Sequence, residues 1–400
     1  MALLPVDEAR KRILNGAKPL SPESLALDKA CGRVLASDVR AKRDQPPFPA
    51  SAMDGYAVIH ADVKTLPTTL KIIGTSAAGH GFKSTVKAGT AVRILTGAPL
   101  PKGADTVVIQ ENTERNGDLL HIVEHTPLGK NIRREAMDFA KGDLLVGKGQ
   151  KLSARDIGLL AAGNAAVVKV YRRPKVVLFT TGDELVLPGT RPRADQIVSS
   201  NSHAIAAMVH QFGADVVNFG IVRDNLKATV AAVRKGLGAD VLLTTGGASV
   251  GDHDYVQAAF RACGVNIDFW KIALRPGKPF MYGRKGKTHV MGLPGNPVSA
   301  LVTARIFLKP LLDRFAGLPE VDLETTAVLD GNLPANDHRQ DYMRATMTVA
   351  PNGKRTVSAF TAQDSSMQRT LQSSQALIVR PPNAPEARTG DSVSVLLLDF

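Results

Sequence analysis

DVLLTTGGASVGDHDYVQAAFRAC, residues 240–263, decides the fold, because it joins an apolar strand to a helix through a glycine-rich turn. Two further turns of this kind follow, RPGKP at residues 275–279 and GLPGNPVS at residues 292–299. A strand that runs directly into small residues points free backbone N–H groups beyond the sheet, and such nests suit phosphates and other oxyanions. Acidic and basic side chains share these turns, so the sequence predicts a metal-assisted site for an anionic substrate.

Strands and helices alternate from Lys175 to about Leu318. The apolar runs KVVLFT, DVVNFGIV and DVLLTTGG are typical of strands, and the intervening LKATVAAVRKGL is typical of a helix. The strands FWKIAL, FMYG and HVMGL follow, and then a long helix from Val298 to Phe315. This alternation predicts a parallel, doubly wound sheet. Ligands on such sheets bind beyond the carboxyl ends of the strands, which is where TTGDE, TTGGASVGDHD and GLPGNP fall.

Short β-like runs flank this region on both sides. Residues 27–149 contain several, separated by Gly, Pro and Asn-Gly, as in an antiparallel β unit. SARD at residues 153–156 is a capping box that predicts a helix ending at Gly163. From Asp322 onward, TVSAF, ALIVRPP and DSVSVLLLD predict a C-terminal β barrel or sandwich. The expected fold class is therefore a multidomain α/β plus β protein.

The charge balance favours anionic ligands. The net charge of +13 would steer anions towards the chain, and nucleic acid is the usual partner of so basic a protein. However, aromatic residues make up only 5% of the sequence, and no Lys/Arg-rich tract with interleaved aromatics occurs. We therefore expect no nucleic-acid partner.

The two cysteines, Cys31 and Cys263, are too few and too far apart for a CxxC site or a disulfide framework, which favours a reducing compartment. The N-terminus lacks the layout of a secretory signal, and no apolar run approaches the roughly 20 residues that span a bilayer. We expect a cytoplasmic protein without membrane association. HIVEH at residues 121–125 matches a zinc-protease pattern, but it lies in a strand-like run where that pattern requires a helix.

Several acids follow predicted strands, and each has a structural alternative. Asp54 could form only a hairpin turn with Gly55, and Glu184 could be a turn former. Asp224 could cap the next helix. Asp254, in Asp-His-Asp, could be a helix cap or a ligand of a hard ion such as Mg²⁺, with neither favoured. Their shared placement at strand ends favours function, because turn formers could equally fall at the other ends.

At this point the motifs indicate a family. The succession SAMDGYAV, RILTGAPLPKGADTVV, NIRREAMD, TTGDEL, IVRDN, TTGGASVGDHDY, RPGKPF and GLPGNPVSA closely resembles MoeA, the molybdopterin molybdenumtransferase family that includes the gephyrin E domain. The matching segments run in order from about Val6 to the C-terminus. Eight segments in the same order make the resemblance specific, although each alone is weak.

The resemblance implies a fold, a reaction and partners. It implies a linker-like domain (residues 1–26 and 140–172), an inserted β domain (27–139), a molybdopterin-binding α/β domain (173–318) and a C-terminal β domain (319–400). Members of the family form homodimers that take adenylylated molybdopterin and molybdate, release AMP and leave molybdenum on the dithiolene, assisted by Mg²⁺. A molybdopterin adenylyltransferase is a candidate partner. Molybdate and tungstate, both tetrahedral dianions of similar size, remain alternatives.

The resemblance also assigns roles to residues, motif by motif. The ligands of Mg²⁺ and pyrophosphate would be Glu184, Asp224 and Asp254. The N-terminal half, from this chain or a partner subunit, would supply Asp54, Thr96 and Asp138. The groups that bind molybdate or phosphate would be Lys271, Arg275 and Lys278. Pro294 and Pro297 would shape the molybdate pocket, and Ser249 and Gly251 the phosphate nest of the pterin.

Some positions depart from the family pattern. Ala136 and Met137 replace a usual Gly-Glu pair, which could shift the loop that carries Asp138. Arg275 stands where lysine is common, and an arginine favours bidentate contact with an oxyanion. A second hypothesis therefore stays open beside the enzyme: a non-catalytic pterin-binding or scaffold paralogue that uses the same fold to store the cofactor or to organise partners.

Overall fold

The computed structural model describes residues 3–246, 255–320 and 324–400. Contacts divide the chain into two compact units, Ser24–Val170 and a unit formed by Met1–Glu23 with Tyr171–Phe400. No helix in the described residues is long and apolar enough to cross a membrane.

The chain forms eight α-helices and 26 strands over the residues described. The helices are α1 Val6–Leu14, α2 Ala154–Ala162, α3 Asn201–Gln211, α4 Leu226–Gly236, α5 Tyr255–Ala262, α6 Pro297–Thr303, α7 Lys309–Phe315 and α8 Gln368–Gln372. The first twelve strands are β1 Pro22–Ala26, β2 Val39–Arg40, β3 Ala50–Ser51, β4 Gly55–Val58, β5 Thr68–Ser76, β6 Thr90–Ile94, β7 Thr106–Ile109, β8 Thr113–Asn116, β9 Leu119–Ile122, β10 Ile132–Arg133, β11 Leu144–Val146 and β12 Val167–Tyr171. The others are β13 Lys175–Thr181, β14 Leu185–Val186, β15 Ile197–Val198, β16 Asp215–Val222, β17 Val241–Thr245, β18 Asn266–Trp270, β19 Leu274–Arg275, β20 Met281–Lys285, β21 Thr288–Leu293, β22 Glu324–Leu329, β23 Gln340–Val349, β24 Arg355–Ala359, β25 Ala376–Arg380 and β26 Ser392–Leu397.

The Ser24–Val170 unit is built mainly from β structure, as the sequence predicts. Its largest sheet has the order β7-β4-β6-β5-β9-β8 and buries a core around Tyr56, Leu70 and Val108. The first residue of β4, Gly55, has to be a glycine, because a Cβ at this position would lie 2.0 Å from the carbonyl oxygen of Val108 on β7. The HIVEH residues begin on β9 and are not helical, so they lack the helix that the zinc-protease pattern requires.

A second core in this unit joins two distant segments. Leu35 packs with Leu152, Leu160 and Val170, and β2 pairs with β11. The segment around Leu35, which we placed in the inserted β domain, therefore packs against residues that we placed in the linker-like domain. Helix α2 begins at the predicted capping box of Ser153 and ends before Gly163.

The α/β sheet of the other unit has the order β16-β13-β17-β21-β20-β18. Strands β16, β13, β17 and β21 run parallel, and β20 and β18 add an antiparallel edge. Alternate residues of β13 enter two cores: Val176 and Leu178 face α3, whereas Val177 and Phe179 face α4 and α5. Because both faces of β13 are covered by helices, its sequence is a continuous apolar run. The doubly wound sheet is confirmed.

The C-terminal strands close into a barrel, which decides between the two predicted forms. Strand β23 pairs with both β24 and β25, β22 pairs with β24 and β26, and β25 pairs with β26. This ring of five strands has no free edge. The long predicted helix is also present as a helical run from α6 to α7, interrupted by a π-helical turn at Ala304–Leu308.

Candidate active site

The carboxyl ends of β13, β17 and β21 open into a cleft of about 580 Å³, which we call the main lobe. It lies where loops that follow parallel strands meet, the usual ligand position on a doubly wound sheet. The loops after β13, β16 and β21 contribute to its lining together with the RPGKP turn. The C-terminal β domain contributes four further lining residues, which are Arg339, Gln363, Asp364 and Ser365.

Two predicted acids, Glu184 and Asp224, line the main lobe. The backbone N–H of Asp224 donates to Asp183 Oδ1 (3.2 Å), which ties the loop after β16 to the loop after β13. Helix α4 is capped by Asn225, whose Oδ1 accepts from the N–H of Ala228 at 2.9 Å. The alternative of Asp224 as the helix cap is therefore wrong, because its neighbour already performs that role.

Arg275 differs from our expectation of an oxyanion ligand. It lines the main lobe, but its Nε and Nη2 donate to Asp341 Oδ2 at 2.9 and 2.6 Å. Its guanidinium also contacts Asp337 (3.2 Å) and Asn336 (3.0 Å). The hydrogen bond with Asp341 raises the pKa of Arg275. Asp341 pairs with this charge, and Asp337 is shared between Arg275 and Arg339, which leaves Arg275 better suited to join the RPGKP turn to the barrel than to hold an anion alone.

Arg339 was not singled out from the sequence, yet it lines the main lobe. Its Nη2 donates to Asp337 Oδ2 at 2.7 Å, while its buried Nε has no partner in the described structure. The hydrogen bond from Arg339 is the largest reason that the pKa of Asp337 falls to about 2, so this acid stays ionised. No strand-end glycine motif marks this part of the barrel, which explains why motif analysis missed it.

The two predicted lysines lie in different surroundings. Lys278 is exposed and lines the main lobe. Lys271 is not among the lining residues of that lobe, and its Nζ lies 4.5 Å from the ring centroid of Trp270. Its backbone has φ +76°, a conformation that costs a non-glycine residue about 1–3 kcal/mol and is enriched at functional sites. Pro294 also lines the main lobe.

A second cavity of about 450 Å³ adjoins the first, and we call it the side lobe. The two lobes share Thr181, Glu184, Gly246, Gly295 and Asn296 as lining residues, so they form one continuous cleft. Strands β14 and β15 and the first residues of α3 complete the side lobe. The predicted pocket residue Pro297 lies here and not in the main lobe.

Ser249, Gly251 and Asp254 lie outside the described residues. In the described part of the chain, no group of three or more His, Cys, Asp or Glu side chains could hold a metal ion. Glu184 and Asp224 supply two carboxylates in one cleft, and carboxylate oxygen is the ligand that Mg²⁺ prefers. These two residues therefore fit a magnesium ion that receives its other ligands from substrate or water.

In the Ser24–Val170 unit, Asp54 and Thr96 form a pair. Asp54 Oδ1 accepts from the Thr96 backbone N–H (2.6 Å) and hydroxyl (2.9 Å). The backbone hydrogen bond contributes most to a lowered pKa of Asp54, so the carboxylate stays charged. The Asp54 side chain therefore does more than form an Asp-Gly turn, because its hydrogen bonds with Thr96 join it to a neighbouring loop while it remains exposed.

The loop that carries Asp138 lies near this pair. Strand β10, which precedes that loop, pairs with β3, which precedes Asp54. The N–H of Asp138 donates to the Gln45 carbonyl at 2.9 Å. Side chains on and beside these loops expose large apolar surfaces: Phe48, Met53, Leu95 and Met137 are 40%, 43%, 37% and 70% exposed.

Ala136 keeps the backbone conformation that a glycine would favour. Its φ is +55°, and its N–H donates to the Pro46 carbonyl at 3.0 Å. The left-handed region costs an L-residue about 1–2 kcal/mol. Glycine avoids this cost, but part of the gain is lost because glycine gives up more backbone entropy on folding. We expect Ala136→Gly to raise the free energy of unfolding by about 0.5–1 kcal/mol. Denaturant titration would measure this, with Ala140→Gly on the same segment as a control; a loss of stability in Ala136→Gly would contradict it.

Comparison with known proteins agrees with this architecture. Residues 4–163 match "MoeA N-terminal region (domain I and II)", 177–314 match "Probable molybdopterin binding domain" and 326–398 match "MoeA C-terminal region (domain IV)". The chain is 34% identical over 401 residues to the molybdopterin molybdenumtransferase of Haemophilus influenzae, with 98% of each chain covered. It is 40% identical over 304 residues to the Nostoc protein of the same name, covering 74% of this chain and 70% of that one.

A solved structure extends the agreement to the fold. The crystal structure of a molybdopterin biosynthesis MoeA protein from Pyrococcus horikoshii matches with a TM-score of 0.84 and 28% identity, over 99% of both chains. Three matched domains in order, full-length relatives and a full-length structural neighbour agree with the strand-end cleft described above. The chain belongs to the MoeA family.

Proposed function

We propose that this protein is a molybdopterin molybdenumtransferase, which takes adenylylated molybdopterin and molybdate, releases AMP and leaves molybdenum on the dithiolene. The observation that carries the proposal is the main lobe, where Glu184 and Asp224 lie in the same cleft as Lys278 and Arg339. Transfer at a pyrophosphate beside a tetrahedral oxyanion needs both signs of charge: carboxylates to hold a metal ion and cations to hold anions.

Mg²⁺ dependence is part of this proposal. Glu184 and Asp224, together with Asp254, would hold the ion at the pyrophosphate. When bound, the ion would neutralise charge on the phosphoanhydride and stabilise the charge that develops as AMP leaves. Within the chain, the hydrogen bond from the Asp224 N–H to Asp183 Oδ1 ties together the two loops that carry Glu184 and Asp224.

The molybdate would bind among the cations at the RPGKP turn. Lys278 lines the main lobe directly and Lys271 lies in the same turn region, so we assign both to oxyanion or phosphate binding. Arg275 would act on the barrel side of that turn as a positioning residue, through its contacts with Asp341 and Asp337. Pro294 and Pro297 would shape the pocket, and Ser249 and Gly251 would hold the pterin phosphate.

A homodimer would complete the site. Asp54, Thr96 and Asp138 lie in the Ser24–Val170 unit with exposed apolar side chains around them, and burial of such side chains favours association. We propose that a second copy of the chain covers this face and that these residues act at its cleft. Mixing inactive Asp54→Asn and Asp224→Asn subunits should then restore about a quarter of the activity, by random pairing of intact sites. No recovery in a confirmed mixed dimer would place both acids in the same subunit's site.

The cytoplasm is the proposed compartment, supported by Cys31 and Cys263, which are both free thiols in the structure. A molybdopterin adenylyltransferase is the proposed partner, because its reaction would produce the adenylylated substrate.

AMP release from adenylylated molybdopterin, with and without molybdate at fixed Mg²⁺, tests the function. Release that depends on molybdate, with molybdenum retained on the pterin, is the expected result. Omission of Mg²⁺ should slow it. Tight pterin binding without release would instead support the non-catalytic pterin carrier, with the Ala136-Met137 loop as the first place to seek the defect.

A further inference from the structure

The turn that carries the two proposed oxyanion-binding lysines is a tight hairpin. The backbone N–H of Lys271 donates to the Phe280 carbonyl at 3.0 Å. The N–H of Ile272 donates to the Lys278 carbonyl, also at 3.0 Å. Because these bonds join the two halves of the hairpin, a displacement of its first half moves the backbones of both lysines.

The backbone of Lys271 is held in an unfavourable conformation. Its φ of +76° lies in the left-handed region, where the Cβ of an L-residue comes too close to the following carbonyl oxygen. A residue keeps such a conformation only where the surrounding structure over-determines it. The contacts of the residues that follow Lys271 therefore help to set the conformation of this lysine.

Two segments hold the first half of the hairpin from opposite sides. The N–H of Ala273 donates to the Leu4 carbonyl at 2.8 Å, and the Ala273 carbonyl accepts from the Gln340 N–H at 2.9 Å. The barrel contact continues into the RPGKP turn, where β19 pairs with β23. The contact with Leu4 lies nearer to the lysine, since Leu4 forms a parallel bridge with Ile272.

Residues 3–5, which we call the N-terminal strap, are suited to this pairing by their sequence. Pro5 restricts the preceding residue to extended conformations, and pairing with a strand requires such a conformation. The Leu4 side chain is half-buried and packs against the apolar core that contains Ile272 and Leu274. The strap is thus anchored by its leucine on one side of Pro5 and by helix α1 on the other.

We propose that the N-terminal strap is a positioning element of the oxyanion site. Leu4 holds Ile272 and Ala273, which keeps the Lys271 backbone in its left-handed conformation and places both lysines of the hairpin for the anion. Leu4 itself touches no substrate in this scheme. The inference rests on the proposed function, which assigns Lys271 and Lys278 to molybdate or to a phosphate of the substrate.

Two substitutions in the strap test this role. Leu4→Ser removes the apolar anchor, and Pro5→Gly removes the restriction on Leu4 while leaving the core unchanged, because Pro5 is exposed. Calorimetry on the full chain would measure the affinity for molybdate and for AMP. Leu4→Ser should weaken binding of at least one anion about tenfold, the effect of losing one hydrogen bond to a charged group, and Pro5→Gly should weaken it less. In AMP release the loss should appear in KM, with kcat nearly unchanged.

Leu20→Ser is the matched control. Leu20 is also a half-buried leucine on the same core, but its N–H donates to the Phe315 carbonyl at 2.9 Å and not to the hairpin. It should lose stability in urea as Leu4→Ser does and keep the wild-type affinities. Leu4→Met, which retains the apolar anchor, should restore them. Trp270 gives a readout without ligand, since Lys271 Nζ lies 4.5 Å from its ring centroid. Its native emission should shift in Leu4→Ser and not in Leu20→Ser.

Weaker binding of molybdate alone would place the strapped hairpin at the molybdate, and weaker binding of AMP alone would place it at the phosphate. Either result supports the proposal. Wild-type affinity for both anions in folded Leu4→Ser and Pro5→Gly would overturn it, as would an equal loss in Leu20→Ser or no binding of either anion to the wild-type chain at millimolar concentration. If Leu4→Ser alone loses affinity while wild-type protein releases no AMP in the presence of molybdate, the strap stands and the transferase function fails. Molybdate-dependent AMP release with an unchanged KM in both strap variants would leave the function standing and remove the strap.

Discussion

Asp224→Asn should lower molybdate-dependent AMP release at least about 100-fold while pterin binding changes little. The substitution keeps the size of the side chain but removes the negative charge that we assign to Mg²⁺ at the pyrophosphate. Loss of one charged group that acts mainly in the transition state typically costs about 10²–10³ in rate. Single-turnover AMP release at saturating substrate would measure the effect, and calorimetry would measure the pterin affinity.

Asp215→Asn is the matched control for this experiment. Asp215 is the first residue of β16, and Asp224 follows the last residue of the same strand. The two acids therefore lie at opposite ends of β16, and Asp215 is at the end away from the cleft. Its carboxylate lies 3.7 Å from Arg173 Nη1, and its side chain is 58% exposed. Asp215→Asn should therefore release AMP at the wild-type rate. Full turnover by Asp224→Asn would remove Asp224 from the mechanism.

Acid should destabilise the α/β core through His289. This residue is 1% exposed on β21, and its Nδ1 lies 2.9 Å from the Tyr282 hydroxyl. Burial is the main reason that its pKa falls from 6.5 to about 4. Between these two pH values the unfolded chain binds a proton that the folded chain does not. Stability from this residue is therefore complete above pH 6.5 and declines as the pH falls towards 4, by about 3 kcal/mol in total.

His289→Gln tests the origin of this decline. The variant should be less stable than wild type at pH 7.5, but its free energy of unfolding should fall less steeply between pH 6.5 and 4. Trp270, the sole tryptophan of the chain, ends β18 in the same sheet, so its fluorescence can follow unfolding of this core in urea. His203→Gln, on an exposed position of α3, should keep the wild-type pH dependence. Equal slopes for His289→Gln and wild type would exclude His289 as the cause.

Local patterns predicted most of the secondary structure and the position of the main cleft. The continuous apolar runs predicted buried parallel strands, since a strand covered on both faces has no polar face to display. The glycine turns after those strands located the cleft, because the carboxyl ends of parallel strands lie at one edge of the sheet. Family motifs within the same turns named Glu184, Asp224 and Lys278, all of which line the main lobe.

Contacts between residues far apart in sequence were not predictable in this way. Arg339 reaches the main lobe from the barrel, and the carboxylates of Asp337 and Asp341 surround Arg275, although more than 60 residues separate them from it. No local period or motif encodes such a meeting, because it depends on how the barrel packs against the α/β sheet. The sequence also could not decide whether Asn225 or Asp224 caps α4. That choice depends on which side chain accepts the hydrogen bond of the Ala228 N–H, and the structure shows that it is Asn225.

The sequence by itself therefore determined the order of strands and helices, the family motifs and the set of acids and bases, because periodicity and turn chemistry act over a few residues. Only the tertiary structure decided which of those charges are available. It paired Arg275 with carboxylates, brought Arg339 from the barrel into the main lobe, and left Thr181, Ser199 and Asn201 with unpaired buried atoms. The physical reason is that a charge or a hydrogen bond is satisfied by neighbours in space, which the chain brings together only when it folds.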